Sequence, residues 1–203
     1  TSFGHLGLFP EQAQNWDWIA NKVKELNGNK PNVLNMFGYT GASTLAAAAK
    51  GANVTHLDAS KPSVTWARKN LESSGLTDCS VRWIVDDAEK FLQREYRRNR
   101  KYDALIMDPP SFGRGPKGEV WNIETQMTTL LALCKKILSE SPKFILLTTH
   151  SPGVSSLSLK NMLIKFLVSP DSGRFQTGDM SIYDTGSGLQ LPNGFYARFS
   201  ANP

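Results

Sequence analysis

Asp108-Pro109-Pro110-Ser111-Phe112 closes an apolar run, Tyr102 to Met107, and gathers in five residues the means to hold a nucleophile. Two consecutive prolines fix φ and remove two N–H donors, so the carbonyls beside them stay rigid and free to accept hydrogen bonds. Asp108 adds a carboxylate, and Phe112 either offers a face on which a flat ring can stack or packs beneath its loop. Three other apolar runs end in the same manner. The run from Val33 to Met36, with Asn35 inside it, is followed by Phe37-Gly38-Tyr39-Thr40-Gly41. Asn53 to Leu57 is followed by Asp58, and Val81 to Val85 by Asp86, Asp87 and Ala88. Glycines at both ends of the Gly38–Gly41 turn let the backbone bend and let a ligand approach, just ahead of a helix N-terminus with unpaired N–H groups. Asp58, 17 positions beyond Gly41, stands where dinucleotide-binding folds hold both hydroxyls of a ribose, although the G-x-G-x-x-G fingerprint is absent. A plain turn would also use those glycines, and carboxylates at strand ends also serve as caps.

These residues need elements to position them. Pro10 and Glu11 open a helix with Trp16, Ile19, Val23 and Leu26 at helical spacing, closed by Asn27-Gly28. The spacing predicts further helices over Ala42–Ala49, from about Pro62 to Ser74, around Phe91 and Leu92, through Met127 to Leu138, and from about Ser156 to Val168. Gly113 to Gly118 reads as a glycine-rich loop with Arg114 and Lys117 beside the site. The fifth apolar run, Phe144 to Thr148, leads to Thr149-His150-Ser151, where His150 either touches substrate or serves as a structural hydrogen-bonder. Phe175–Tyr183 and Phe195–Phe199 read as two final strands. Five strand-then-helix units predict a parallel sheet with helices on both faces, and ligands in such sheets bind at the carboxyl ends of the strands. Every notable polar residue falls at one of those ends.

With 203 residues and 40% hydrophobic content the chain can bury a substantial core. We expect a single domain over 1–203, with residues 1–30 as an N-terminal strand and helix packed on it. No apolar run approaches the roughly 20 residues that span a bilayer, and no basic-then-apolar signal opens the chain. It starts on Thr1 rather than Met, so an upstream segment is expected. Cys79 and Cys134 provide neither a disulfide framework nor metal-ligand spacing, which suits a cytoplasmic protein and no metal. The net charge of +5 is compatible with a polyanionic partner. The densest basic patch, Arg94 to Lys101, lies at a helix end and reads as a solvated complement to the helix dipole.

Asn35-Met36-Phe37-Gly38-Tyr39-Thr40-Gly41, Asp58-Ala59-Ser60-Lys61 and Asp108-Pro109-Pro110-Ser111-Phe112, in that order, resemble class I S-adenosylmethionine-dependent methyltransferases. More narrowly they resemble the branch containing bacterial ribosomal large-subunit RNA methyltransferases of the I and K types. The resemblance implies a Rossmann-like, doubly wound α/β sheet of seven strands, mostly parallel with one antiparallel strand. It implies S-adenosyl-L-methionine as cofactor and RNA, ribosomal above all, as partner and substrate. It would place Gln12, Asn35, Phe37, Gly38, Tyr39, Thr40, Gly41, Asp58, Ser60, Asp87, Ala88 and Asp108 around the cofactor. Asp58 would hold the ribose, Asp87 or the Ala88 N–H the adenine edge, and the glycine turn would pass beneath the amino-acid part. Asp108, Pro109, Pro110 and Phe112 would serve transfer.

Methylating carbon 5 of a pyrimidine needs a thiolate to attack the ring first, placed after the fourth or fifth strand in related enzymes. Those places read Pro110-Ser111 and Thr148 to Ser151, so the expected acceptor is a base nitrogen. Methyltransferases acting on amino groups usually carry an aromatic directly after the prolines, where this chain has Ser111. Rival readings are methyl transfer to a protein side chain or small molecule, a cofactor-binding module without catalysis, and an NAD oxidoreductase.

Overall fold

A computed structural model describes residues 7–115 and 117–202. The chain enters through a 3-10 turn, η1 (Pro10–Gln12), whose Pro10 suits a helix start, and continues into α1 (Ala13–Glu25). Strands and helices then alternate: β1 (Asn32–Met36), α2 (Ala42–Ala48), β2 (Asn53–Asp58), α3 (Lys61–Ser73), β3 (Val81–Val85), α4 (Ala88–Arg97) and β4 (Ala104–Met107). A small hairpin, β5 (Phe112–Arg114) with β6 (Val120–Asn122), intervenes before α5 (Ile123–Ile137). β7 (Phe144–Thr149), α6 (Ser156–Phe166), β8 (Gly173–Tyr183) and β9 (Gln190–Ala201) complete the order.

Seven strands form one sheet in the order β3-β2-β1-β4-β7-β9-β8. All pairings from β3 to β7 are parallel, and β9 runs antiparallel to both of its neighbours, so a single strand is reversed. The expected architecture is therefore observed. Strands buried on both faces carry continuous apolar runs, and here alternate residues feed two cores. Leu34, Leu105, Met107, Ile145 and Leu147 pack with α4, α5 and α6, while Val33, Ala104, Ile106, Phe144 and Leu146 pack with α1 and α2.

The structure departs from the sequence reading in several places, among them the last strand, which starts at Gln190 instead of Phe195. Residues 7–9 form no strand, and the remainder of the expected N-terminal strand, Phe3 to Leu6, lies outside the described residues. The fourth strand starts at Ala104 instead of Tyr102, because the Tyr102 amide turns to the Ile137 carbonyl and its hydroxyl donates to Glu95 Oε2 at 2.7 Å. The glycine-rich loop is the tip of the β5–β6 hairpin. Gly118, at φ +86°, allows that reversal, and the exposed Lys90 pairs with Glu119 to tie the tip to α4. Among the described residues no helix is long and apolar enough to cross a membrane.

Candidate active site

The turn after β1 is held from several directions. Phe37 and Tyr39 both sit in the left-handed region, at φ 57° and 47°, and Gly41 at 92° caps α2. Such backbone persists when its surroundings over-determine it. The Tyr39 N–H donates to Asp58 Oδ2 at 2.8 Å, and the Gly38 N–H donates to the Leu57 carbonyl. Gly38 is required for packing: a Cβ there would lie 2.5 Å from His56 Cε1, and a Cβ at Gly41 would lie 2.9 Å from Ala67 Cβ. The glycines thus admit neighbouring side chains against the turn, and both also line the cleft beneath it. His56 is fully buried, its Nδ1 is 2.9 Å from the Thr44 hydroxyl, and burial lowers its pKa to about 4. Asn35, buried beside it, donates to Thr44 Oγ1 at 2.8 Å.

Asp58 ends β2 half-buried, with its second oxygen accepting the Ser60 N–H at 2.8 Å, and burial raises its pKa. Ser60 is itself the N-cap of α3. Asp87 caps α4 by accepting the Lys90 N–H, so the capping role that strand-end carboxylates often play is real here. Ala88 is the first residue of that helix, where backbone N–H groups have no intrahelical partner.

Asp108 follows β4 with 31% of its side chain exposed. Thr148 donates to its Oδ1 at 2.6 Å and Gln12 Nε2 to its Oδ2 at 3.1 Å. Surrounding protein pushes the Asp108 pKa up, while the facing His150 and these two hydrogen bonds act the other way. The prolines are held too: Trp121 Nε1 donates to the Pro110 carbonyl at 2.7 Å. Trp121 also leans on Phe37, ring centroids 5.2 Å apart, which closes the hairpin over the turn after β1. Ser111 and Ser151 hydroxyls meet at 2.7 Å and fasten the proline loop to the end of β7.

One cavity of about 430 Å³ opens at this edge of the sheet. Asp58, Asp87 and Asp108 all line it, with Phe37, Tyr39, Ser60, Ala88, Pro109 and Pro110. A narrow cleft of about 50 Å³ adjoins it under the glycine turn and takes Gln12, Asn35, Gly38, Thr40 and Gly41. Phe9, Phe37, Tyr39 and Asp108 border both spaces. Some of the nominated side chains already have protein partners, among them Asn35 with Thr44, Thr40, which donates to the Gly7 carbonyl at 2.6 Å, and Gln12, whose amide donates to Asp108 and accepts from Asn15. Phe112 lies on β5 and is 56% exposed, so it is not a core aromatic. Arg114 lines the cavity beside it. Sequence reasoning missed Glu11 and Trp121, whose side chains acquire a role only when η1 and the hairpin fold over the strand ends. His150, open to either a substrate contact or a structural role, lines the cavity and also meets Glu11 through Nε2.

Neither cysteine reaches this cavity. Cys134 is fully buried on α5 and burial pushes its thiol pKa up. Cys79 sits before β3, against the Ala48 carbonyl. Among the described residues no group of three or more His, Cys, Asp or Glu side chains is arranged to hold a metal ion.

Seven strands with one reversed, helices on both faces and a cavity at the carboxyl ends of β1 to β4 define a class I, Rossmann-like methyltransferase fold. The chain belongs to the family described as conserved hypothetical protein 95, whose model it matches over residues 12–149. A crystal structure of the SAM-dependent methyltransferase from Agrobacterium tumefaciens superposes with a TM-score of 0.91 at 38% identity, covering 100% of this chain and 66% of that one. Ribosomal RNA large subunit methyltransferase I of Photobacterium profundum is 35% identical over 144 residues, 70% of this chain and 35% of that protein. Ribosomal RNA large subunit methyltransferase K of Neisseria meningitidis is 32% identical over 120 residues, 58% of this chain and 34% of that protein. The chain thus spans about a third of the length of these two relatives.

Proposed function

We propose that the protein is an S-adenosylmethionine-dependent methyltransferase that methylates a base nitrogen in RNA, ribosomal RNA above all, with residues 1–203 acting as one such domain in the cytoplasm. The observation that carries this reading is the meeting of Asp58, Asp87 and Asp108, from the ends of three parallel strands, on one cavity. Its volume of about 430 Å³ falls in the roughly 300–1,000 Å³ range of small-molecule sites.

The residues present fit the cofactor. Each Asp58 oxygen holds one backbone N–H and keeps lone-pair capacity for a ribose hydroxyl. Asp87 and the Ala88 N–H, at the far wall, suit the adenine edge. The cleft under the glycine turn, with Gln12 at its end, suits the amino-acid part. Bound there, the cofactor would supply an electrophilic methyl on a sulfonium.

The chain's own contribution is positioning and charge. Pro109 and Pro110 hold a rigid wall, and Asp108 presents a carboxylate where positive charge passes from donor to acceptor. Orienting an acceptor for in-line attack is worth about 7 to 11 kcal/mol in favourable systems. Phe112, exposed on β5 and outside the cavity lining, offers a stacking face for a base drawn out of its strand, and Arg114, in the lining, a cation for a phosphate. The absence of either cysteine from the cavity lining supports a nitrogen acceptor over a pyrimidine carbon.

The reading is tested by nucleoside mass spectrometry of ribosomal RNA from cells with and without the gene. One N-methylated nucleoside lost on deletion and restored by the purified protein on the unmodified RNA is the expected result. An unchanged RNA profile, with methyl appearing instead in a protein or small-molecule fraction, overturns the RNA assignment.

A further inference from the structure

The wall of the cavity beside Asp108 carries a group that the reaction described above does not use. His150, the residue after β7, has Nε2 3.1 Å from Glu11 Oε1 and Nδ1 3.7 Å from Asp108 Oδ1. Glu11, on η1, is 2% exposed, and the same oxygen accepts a hydrogen bond from Asn193 Nδ2 on β9. Phe9 lies against the imidazole, ring centroids 5.5 Å apart. β9 approaches at a glycine: a Cβ on Gly194 would stand 3.2 Å from His150 Cδ2. Chain segments distant in sequence therefore converge to fix one ring between two carboxylates.

A buried carboxyl needs hydrogen-bond partners, and Glu11 Oε1 has two, His150 Nε2 and Asn193 Nδ2. Nε2 is within hydrogen-bond reach of Glu11, while Nδ1 faces Asp108 across 3.7 Å, close enough for a charge on the ring to act on the carboxyl. We propose that His150, seated on Glu11, is a positioning residue that keeps Asp108 ionised at the acceptor end of the cavity. The purpose, though not the geometry, rests on the methyl-transfer reading: a carboxylate there opposes positive charge only while it is ionised. Burial works against that state, and His150 is the largest influence in the other direction, followed by the Thr148 hydroxyl and the Gln12 amide. Glu11 is the other charged group that acts on Asp108, and it favours the neutral carboxyl. Its negative charge is what His150 offsets.

The test is a carbon-detected NMR titration of the Asp108 carboxyl in the unliganded protein, for wild type and His150→Gln. The Gln variant keeps size and a donor but carries no charge. The Asp108 midpoint should rise by about one pH unit in the variant, as expected for losing a facing cation. An unchanged midpoint overturns the proposal. His150→Asn, smaller and open to the cavity, replaces the Gln variant if that one fails to fold. Calorimetry adds a second readout: the preference for cationic S-adenosylmethionine over neutral S-adenosylhomocysteine should fail at a higher pH in the variant than in wild type. Equal pH dependence in both counts against the proposal. If neither ligand binds wild type, the cofactor reading fails, and the carboxyl titration still decides the role of His150.

Discussion

The Asp58 carboxylate at the end of β2 accepts the backbone N–H of Tyr39 at 2.8 Å, in the turn after β1. One carboxylate thereby fixes the shape of a turn that holds Phe37 and Tyr39 at positive φ and also faces the cavity. Losing hydrogen bonds to a charged group costs about 1.5–3 kcal/mol each. Asp58→Ala should therefore weaken S-adenosylhomocysteine binding by at least about tenfold in calorimetry. Unchanged affinity in the folded variant would remove Asp58 from the cofactor site.

Gly38→Ala should destabilise the fold by about 1–3 kcal/mol, the usual range for overpacking, because the new Cβ meets the buried His56 ring at 2.5 Å. Urea denaturation of Gly38→Ala, His56→Ala and the double variant forms a cycle. The double variant should lose less stability than the two single losses combined, since His56→Ala removes the ring that the Gly38→Ala methyl would meet. Additive losses would show that His56 is not what excludes a side chain at Gly38.

Acidification should destabilise the protein through His56. Its folded pKa of about 4 lies below the ordinary value of 6.5, so the unfolded chain binds more protons between those limits. Stability therefore falls as pH drops from about 6.5 to about 4, by roughly 3 kcal/mol in all. Asp58 and Asp108, whose pKa values are raised by burial, act with the opposite sign, since the folded state holds their protons more tightly. The His56 contribution is read as a difference. Between pH 7 and pH 4.5, wild type should lose more stability to urea than His56→Gln does, and equal losses contradict the assignment.

Cys134→Ala and Cys79→Ser should together retain methyl transfer. Cys134 is fully buried in the core on α5, with a thiol that burial holds protonated, so its loss costs on the order of 1–2 kcal/mol of stability and no chemistry. Complete loss of turnover in the folded double variant would restore the pyrimidine-carbon mechanism.

The sheet was legible because parallel strands buried on both faces announce themselves as apolar runs, and because strand-end polar residues stand out against them. Asp58, Asp87 and Asp108 were found that way. The hairpin was not, since Gly113, Gly115 and Gly118 carry a turn signal with no alternating strands long enough to frame it. Glu11 and Asn193 were invisible for a different reason: they meet each other and His150 across 182 residues of chain, and no local pattern encodes that encounter. The second demand on Gly38, room for the His56 ring, was not legible, because that ring comes from β2.

The most direct measurement follows tritium from labelled S-adenosylmethionine into protein-free, unmodified ribosomal RNA, for wild type and Asp108→Ala side by side. Wild type should label the RNA, and the variant should lose at least about a hundredfold in rate while binding S-adenosylhomocysteine within about tenfold of wild type. Label that never enters RNA, or an Asp108 variant that works at full rate, would contradict the account.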